Sequence, residues 1–242
     1  NFERTILSSF YADMVAMRER NHFTTRLFFE PQMLTSAGMP TWLDFEPGDG
    51  CVFAPHYYDP LCHEGYPYTP VAKFWMKATV YQRLNDARRF KTPLLFGEFG
   101  IAPEHKGHLD MLADFLELAD QNQFSWTYYS YDKTNAEGFG VIHDDGTERP
   151  QLKYLVRIYA QRIAGENPEY VFGEKQFRVT YTANASTAPT VVFVPAKYQG
   201  VHVEFNGHAV LFDDGARYLE VSNEGGAGTQ QALDVRWESA KE

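Results

Sequence analysis

The sequence predicts an α/β protein: four consecutive strand–helix units, half of a (β/α)8 TIM barrel, followed by a small antiparallel β-sandwich domain. Three observations lead there. Short apolar runs alternate with helix-periodic segments from residue 2 to residue 165, the pattern of a parallel sheet with helices outside. A complete barrel takes roughly 250 residues, and only about 165 precede the change of texture. Beyond Gly165, short β-branched runs are separated by Asn206-Gly207 and Asp214-Gly215, which are hairpin turn signals. The domain boundary is therefore read as 1–165 and 166–242.

The first helix covers residues 2–20, with Ile6, Leu7, Phe10, Met14 and Met17 on one face. Residues 25–31 form a strand ended by Pro31. A loop through Gly48-Asp49-Gly50 leads to a second strand over 51–58. Helix periodicity returns with Val71, Phe74, Trp75, Ala78 and Tyr81. The strand 93–98 follows, then a helix carrying Leu112, Phe115, Leu116 and Ala119. The fourth strand covers 124–132. Pro150 opens a last helix carrying Leu152, Leu155, Val156, Tyr159 and Ile163, which Gly165 ends. Strands over 177–182, 190–195, 201–205 and 218–221 make the sandwich, with a strand-like tail near 232–237.

Composition excludes several classes of function. The net charge of −10 argues against nucleic acid or an anionic membrane surface as partner. No apolar run is long enough to span a bilayer. No leader peptide is visible, and residue 1 is Asn, so the true start is left open. Aromatic residues make up 16% of the chain, which suits a Phe-rich core first and a sugar-stacking cleft second. Cys51 and Cys62 flank one loop, either as a disulfide or as two free thiols. No zinc-type Cys/His spacing, EF-hand, phosphate loop or Ser-His-Asp elbow is present, so no metal or cofactor is expected. Asn184-Ala185-Ser186 is a glycosylation sequon, and Asp144-Asp145-Gly146 and Asp213-Asp214-Gly215 read as turns.

The most informative segment is Phe96-Gly97-Glu98-Phe99-Gly100, a carboxylate held between two glycines at the end of a strand. The C-terminal edge of a parallel α/β sheet is where ligands bind. Glu30, His56, Tyr58, Glu98, Trp126, Tyr129, Asp132 and Lys133 all lie at such strand ends. The glycines are expected to leave room for a ligand and to allow unusual backbone angles.

Together, Leu27-Phe28-Phe29-Glu30-Pro31, Ala54-Pro55-His56-Tyr57-Tyr58, Phe96-Gly97-Glu98-Phe99-Gly100 and Ser125–Asp132 resemble strands five to eight of glycoside hydrolase family 5. The likeness is closest to endoglycoceramidase-type members, which also carry a β-sandwich after the barrel. It implies a retaining glycosidase with Glu98 as nucleophile, Tyr58 hydrogen-bonded to it and His56 in the sugar-binding wall. It also implies a carbohydrate or glycoside substrate and a secreted setting. The family's acid/base sits in an Asn-Glu-Pro motif, and none occurs here. Glu30 is the candidate replacement. Tyr129 takes the place of the usual strand-eight Trp, with Trp126 nearby, and Asp132 and Lys133 are candidate substrate contacts.

A half barrel has open edges and an uncovered inner face, which predicts a homo-oligomer, most simply a dimer. The alternatives to a weakly active hydrolase are a carbohydrate-binding remnant without turnover and a fragment of a longer glycosidase.

Overall fold

The computed structural model describes residues 1–133, 139–213 and 215–240. The chain divides into two compact units, Asn1–Tyr154 and Leu155–Glu242. The division lies earlier than the boundary read from the sequence, and the reason is local. The helix expected over 150–165 is only the turn α5 (Leu152–Leu155), and β6 (Tyr159–Arg162) follows at once, paired with a strand of the second unit. The apolar spacing of residues 152–163 fits a helix, but cross-strand pairing with buried neighbours prevails over that weak local preference.

In the first unit, α1 (Ser8–Arg20), preceded by a π-helical turn over Glu3–Leu7, leads into β1 (Leu27–Phe29). Next come β2 (Cys51–Phe53) and β3 (His56–Tyr57), two halves of one strand interrupted at Ala54-Pro55. The short α2 (Pro60–His63) and the long α3 (Pro70–Phe90) separate them from β4 (Leu95–Phe99), and α4 (His108–Asn122) precedes β5 (Ser125–Tyr128). All pairings among these strands are parallel. β1 pairs with β2 through Phe29↔Phe53, a bridge joins Phe53 to Leu94, and β4 lies between β3 and β5. The order along the sheet therefore follows the chain, as expected of consecutive strand–helix units.

Aromatic rings hold these layers together. Phe29, Phe53 and Phe90 pack within 5.5 Å of one another between the strands and α3. Phe115 of α4 stacks on Phe99 at 4.0 Å and meets Phe96 edge-on. All six are buried, so the abundant Phe serves the core first.

Two helices turn another face inward than their most apolar stripe suggests. On α1 and the turn before it, Ile6, Phe10 and Met17 are exposed, while Ser8, Tyr11 and Val15 face in. On α3, Val71, Phe74, Trp75 and Tyr81 are exposed, while Met76, Val80, Leu84 and Phe90 are buried. In α4 the expected face is the buried one.

The second unit is antiparallel throughout. β7 (Gly165–Gly173), β8 (Gln176–Ala183), β11 (His202–Phe205), β12 (His208–Val210) and β14 (Gln230–Arg236) form a sheet in the order β12-β11-β14-β8-β7. β9 (Thr190–Phe193) and β13 (Tyr218–Val221) join β6 in a second sheet, and β10 (Tyr198–Gln199) pairs with β15 (Ser239–Ala240). Ile158, Phe177, Val192, Leu219 and Leu233 lie in the shared core. Asn206 and Gly207 both have positive φ (51° and 81°), the turn geometry that Asn-Gly favours in a two-residue hairpin. Asp214, half of the other turn signal, lies outside the described residues.

Both thiols are free and buried. Cys51 donates to the Pro47 carbonyl at 2.8 Å. Burial and the Asp59 carboxylate push the Cys62 thiol up from 9.0 to about 12. Among the described residues no group of His, Cys, Asp and Glu could hold a metal ion, and no helix is long and apolar enough to cross a membrane.

Candidate active site

Four of the residues singled out from sequence meet at the C-terminal ends of the parallel strands. β3 and β4 pair in the register His56↔Glu98, which sets the histidine beside the carboxylate. Tyr58, just beyond β3, donates its hydroxyl to Glu98 Oε2 at 2.9 Å. His56 Nδ1 lies 3.4 Å from the same oxygen. The other ring nitrogen, Nε2, lies 3.0 Å from Glu30 Oε2 at the end of β1. The imidazole thus stands between two carboxylates from strands that are not neighbours in the sheet.

The site is open: the side chains of His56, Glu98 and Glu30 are 30%, 38% and 55% exposed. Donors aimed at a carboxylate oxygen stabilise negative charge there, and Tyr58 is such a donor. Glu30 is clamped through its backbone, because the Tyr11 hydroxyl donates to its carbonyl at 3.0 Å and accepts from its N–H at 3.1 Å.

The glycines beside Glu98 serve close packing rather than unusual torsion, since neither has a positive φ. A Cβ on Gly97 would lie 3.4 Å from the His56 ring. A Cβ on Gly100 would lie 2.5 Å from the Tyr129 carbonyl and 3.5 Å from the Phe139 ring. The space that the sequence reserves for a ligand is filled by the protein's own groups.

The remaining candidates stand in other surroundings. Trp126 meets Phe99 edge-on at 5.6 Å, so it belongs to the ring cluster under α4. Tyr129 is 37% exposed and packs edge-on against Phe139. Asp132 and Lys133 are exposed on the loop after β5. Phe139 is the residue that sequence reasoning missed. Its ring stacks on Tyr58 at 5.7 Å, and its carbonyl accepts from the Tyr128 hydroxyl at 3.0 Å. No motif marks it, because its contact with Tyr58 exists only in the tertiary fold.

Residues 157–235 match the glycoside hydrolase family 5 C-terminal domain. The second unit thus resembles the C-terminal domain of that family. The fold of the chain is similar to part of endo-glycoceramidase II from Rhodococcus sp.. The TM-score is 0.84 at 22% identity against the complex with ganglioside GM3, over 98% of this chain and 55% of that one. The complex with a cellobiose-like imidazole gives 0.82 at 23% identity, over 98% and 56%. Sterylglucosidase 1 from Cryptococcus neoformans gives 0.72 at 14% identity, over 100% and 45%. The chain thus spans about half the length of these enzymes. No curated protein sequence matches it directly.

Proposed function

We propose that this chain is a glycoside hydrolase that cleaves β-glycosidic bonds by a retaining mechanism, with Glu98 as nucleophile. The observation that carries the reading is the hydrogen bond from Tyr58 to a carboxylate at the end of a barrel-type strand. Tyr58 and His56 both meet Oε2, so attack on the anomeric carbon falls to Oε1. The carbon–oxygen bond to the leaving group then breaks, and its electron pair goes to the leaving oxygen. Water next attacks the same carbon, releases Glu98, and gives its proton to a base.

The chain lacks the Asn-Glu-Pro acid/base. Glu30 does not suit that role, because a retaining pair needs the glycosidic oxygen between its carboxyl groups, roughly 5–5.5 Å apart, and here the His56 ring holds that place. Turnover is therefore weak and favours aryl leaving groups, which need little protonation. A second copy of the chain, or further polypeptide, is the source of the missing acid. The ganglioside and cellobiose-like complexes of the Rhodococcus enzyme support a β-linked sugar as the substrate class. Tyr129 is the stacking residue of this reading, with Asp132 and Lys133 at the rim.

The imidazole standing between Glu30 and Glu98 also suits sugar binding without turnover. Hydrolysis of aryl β-glycosides by the wild type but not by Glu98→Ala supports the hydrolase. Saturable binding of the same glycosides with no product supports the binding reading instead.

A further inference from the structure

We propose that the outer face of the second unit's sheet β13-β9-β6 is a binding site for neutral β-linked oligosaccharides, made of none of the residues around Glu98. The proposal does not depend on the reading of Glu98. Tyr218, Phe193 and Tyr159 lie on one line across this sheet, because both tyrosines pair with Phe193 in the strand register. Neighbouring ring centroids are 5.6 Å and 5.4 Å apart. Strand alternation turns the adjoining residues Leu219, Val192 and Ala160 toward the sandwich core, so the three rings stand on the opposite face. Tyr218 and Tyr159 are 51% and 44% exposed. A contiguous exposed cluster of rings marks an interaction site.

The chemistry of the face selects the ligand. A pyranose in a β-linked chain carries hydroxyls around its edge and C–H bonds on its faces. It therefore needs flat apolar surface, with hydrogen-bonding groups at the margin. Tyrosine supplies both, as a rigid ring and a hydroxyl that donates and accepts. Burial, and then the nearby Tyr218, push the Tyr159 hydroxyl up from 10.0, so it stays a donor. On the next line of the sheet, Glu220 and Arg162 both pair with Val191, which puts an acceptor and a donor beside the rings with no net charge. The Arg162 Nε–H donates to the Pro189 carbonyl at 2.9 Å, which tethers the guanidinium. An electrically balanced face fits an uncharged ligand, and a chain of net charge −10 repels an anionic polymer. The ring planes are inclined by 53° and 43°, so they do not all lie against one flat surface. That geometry favours a soluble, twisted sugar chain over a crystalline one.

The test uses the intact chain carrying Glu98→Ala, so that no sugar is consumed, and cellohexaose, xylohexaose and mannohexaose as probes. The tyrosine ring-carbon spectrum is followed during each titration, with the Tyr159 and Tyr218 signals assigned by Tyr159→Phe and Tyr218→Phe. Both signals are expected to shift saturably with at least one probe. In Tyr218→Ala the Tyr159 signal is expected to saturate at roughly tenfold higher sugar concentration, the scale on which a central aromatic contact counts. Tyr218→Phe, which keeps the ring, is expected to stay close to the parent chain. An unchanged denaturation midpoint shows that each variant is folded. Signals that stay in place with all the probes overturn the proposal, and so does an affinity that Tyr218→Ala leaves unchanged. Signals that move with protein concentration instead of with sugar assign the face to a second copy of the chain and overturn it as well. Hydrolysis enters neither readout, so a failure of the Glu98 reading leaves this result standing.

Discussion

Glu98 depends on a neighbour forty residues away in sequence, because only the parallel pairing of β3 with β4 brings the Tyr58 hydroxyl to its carboxylate. A hydrogen bond to a charged group contributes about 1.5–3 kcal/mol, which corresponds to roughly ten- to a hundredfold in rate. Tyr58→Phe is therefore expected to lower kcat/KM on aryl β-glycosides by about that factor, mostly through kcat, and steady-state kinetics would show it. Cys62 makes a separate prediction at this scale. Its folded thiol sits near 12 because burial, and then Asp59, disfavour the thiolate, whereas the unfolded thiol ionises near 9.0. Since the folded value is raised, the contribution to stability is complete below pH 9 and is lost as pH rises from there toward 12. The urea midpoint should fall over that window, and Cys62→Ala should make the fall shallower.

At the scale of elements, the strand ends are set by close contacts between neighbouring segments. Gly100 lets the Tyr129 carbonyl and the Phe139 ring come against β4. Gly100→Ala would push both away and disturb the Tyr58–Phe139 stack. Overpacking of this kind costs about 1–3 kcal/mol, so a lower denaturation midpoint is expected together with slower hydrolysis of aryl β-glycosides. The start of α3 is set by local chemistry. Pro70 opens α3 behind Thr69, whose hydroxyl accepts from the Ala72 N–H at 3.3 Å. Thr69→Ala should lower stability by about 1 kcal/mol, the usual loss of a capping side chain. Calorimetry would check it, and catalysis should be unaffected. The inward faces of α1 and α3 were harder to read, because both helices carry large apolar side chains on two sides. Periodicity finds a stripe but not which stripe meets the sheet.

For the whole molecule, the parallel strands of the first unit end in open edges, since β1 pairs only with β2 and β5 only with β4 among the described residues. Phe28 on β1 is 54% exposed. Unpaired edges and exposed rings promote association. Light scattering should therefore give about twice the 27.8 kDa chain mass; a monomer across the micromolar range would remove the dimer from the proposed function. The second unit has its own two-sheet core. Residues 155–242 expressed alone should unfold cooperatively, and dispersed amide resonances would confirm it.

The order of strands and helices in the first unit, the hairpin at Asn206-Gly207 and the carboxylate at position 98 are all written in short stretches of chain. Each depends on local patterns: apolar periodicity, turn residues and a glycine-flanked strand end. Other features depend on contacts between distant segments. Pairing of β6 with β9 turned an expected helix into a strand. Tertiary packing brought Phe139 to Tyr58 and set Trp126 edge-on against the buried Phe99. The same holds for Glu30, which a sequence shows only as a carboxylate at a strand end. Its partner becomes visible once β1, β3 and β4 are assembled and an imidazole stands between the two acids.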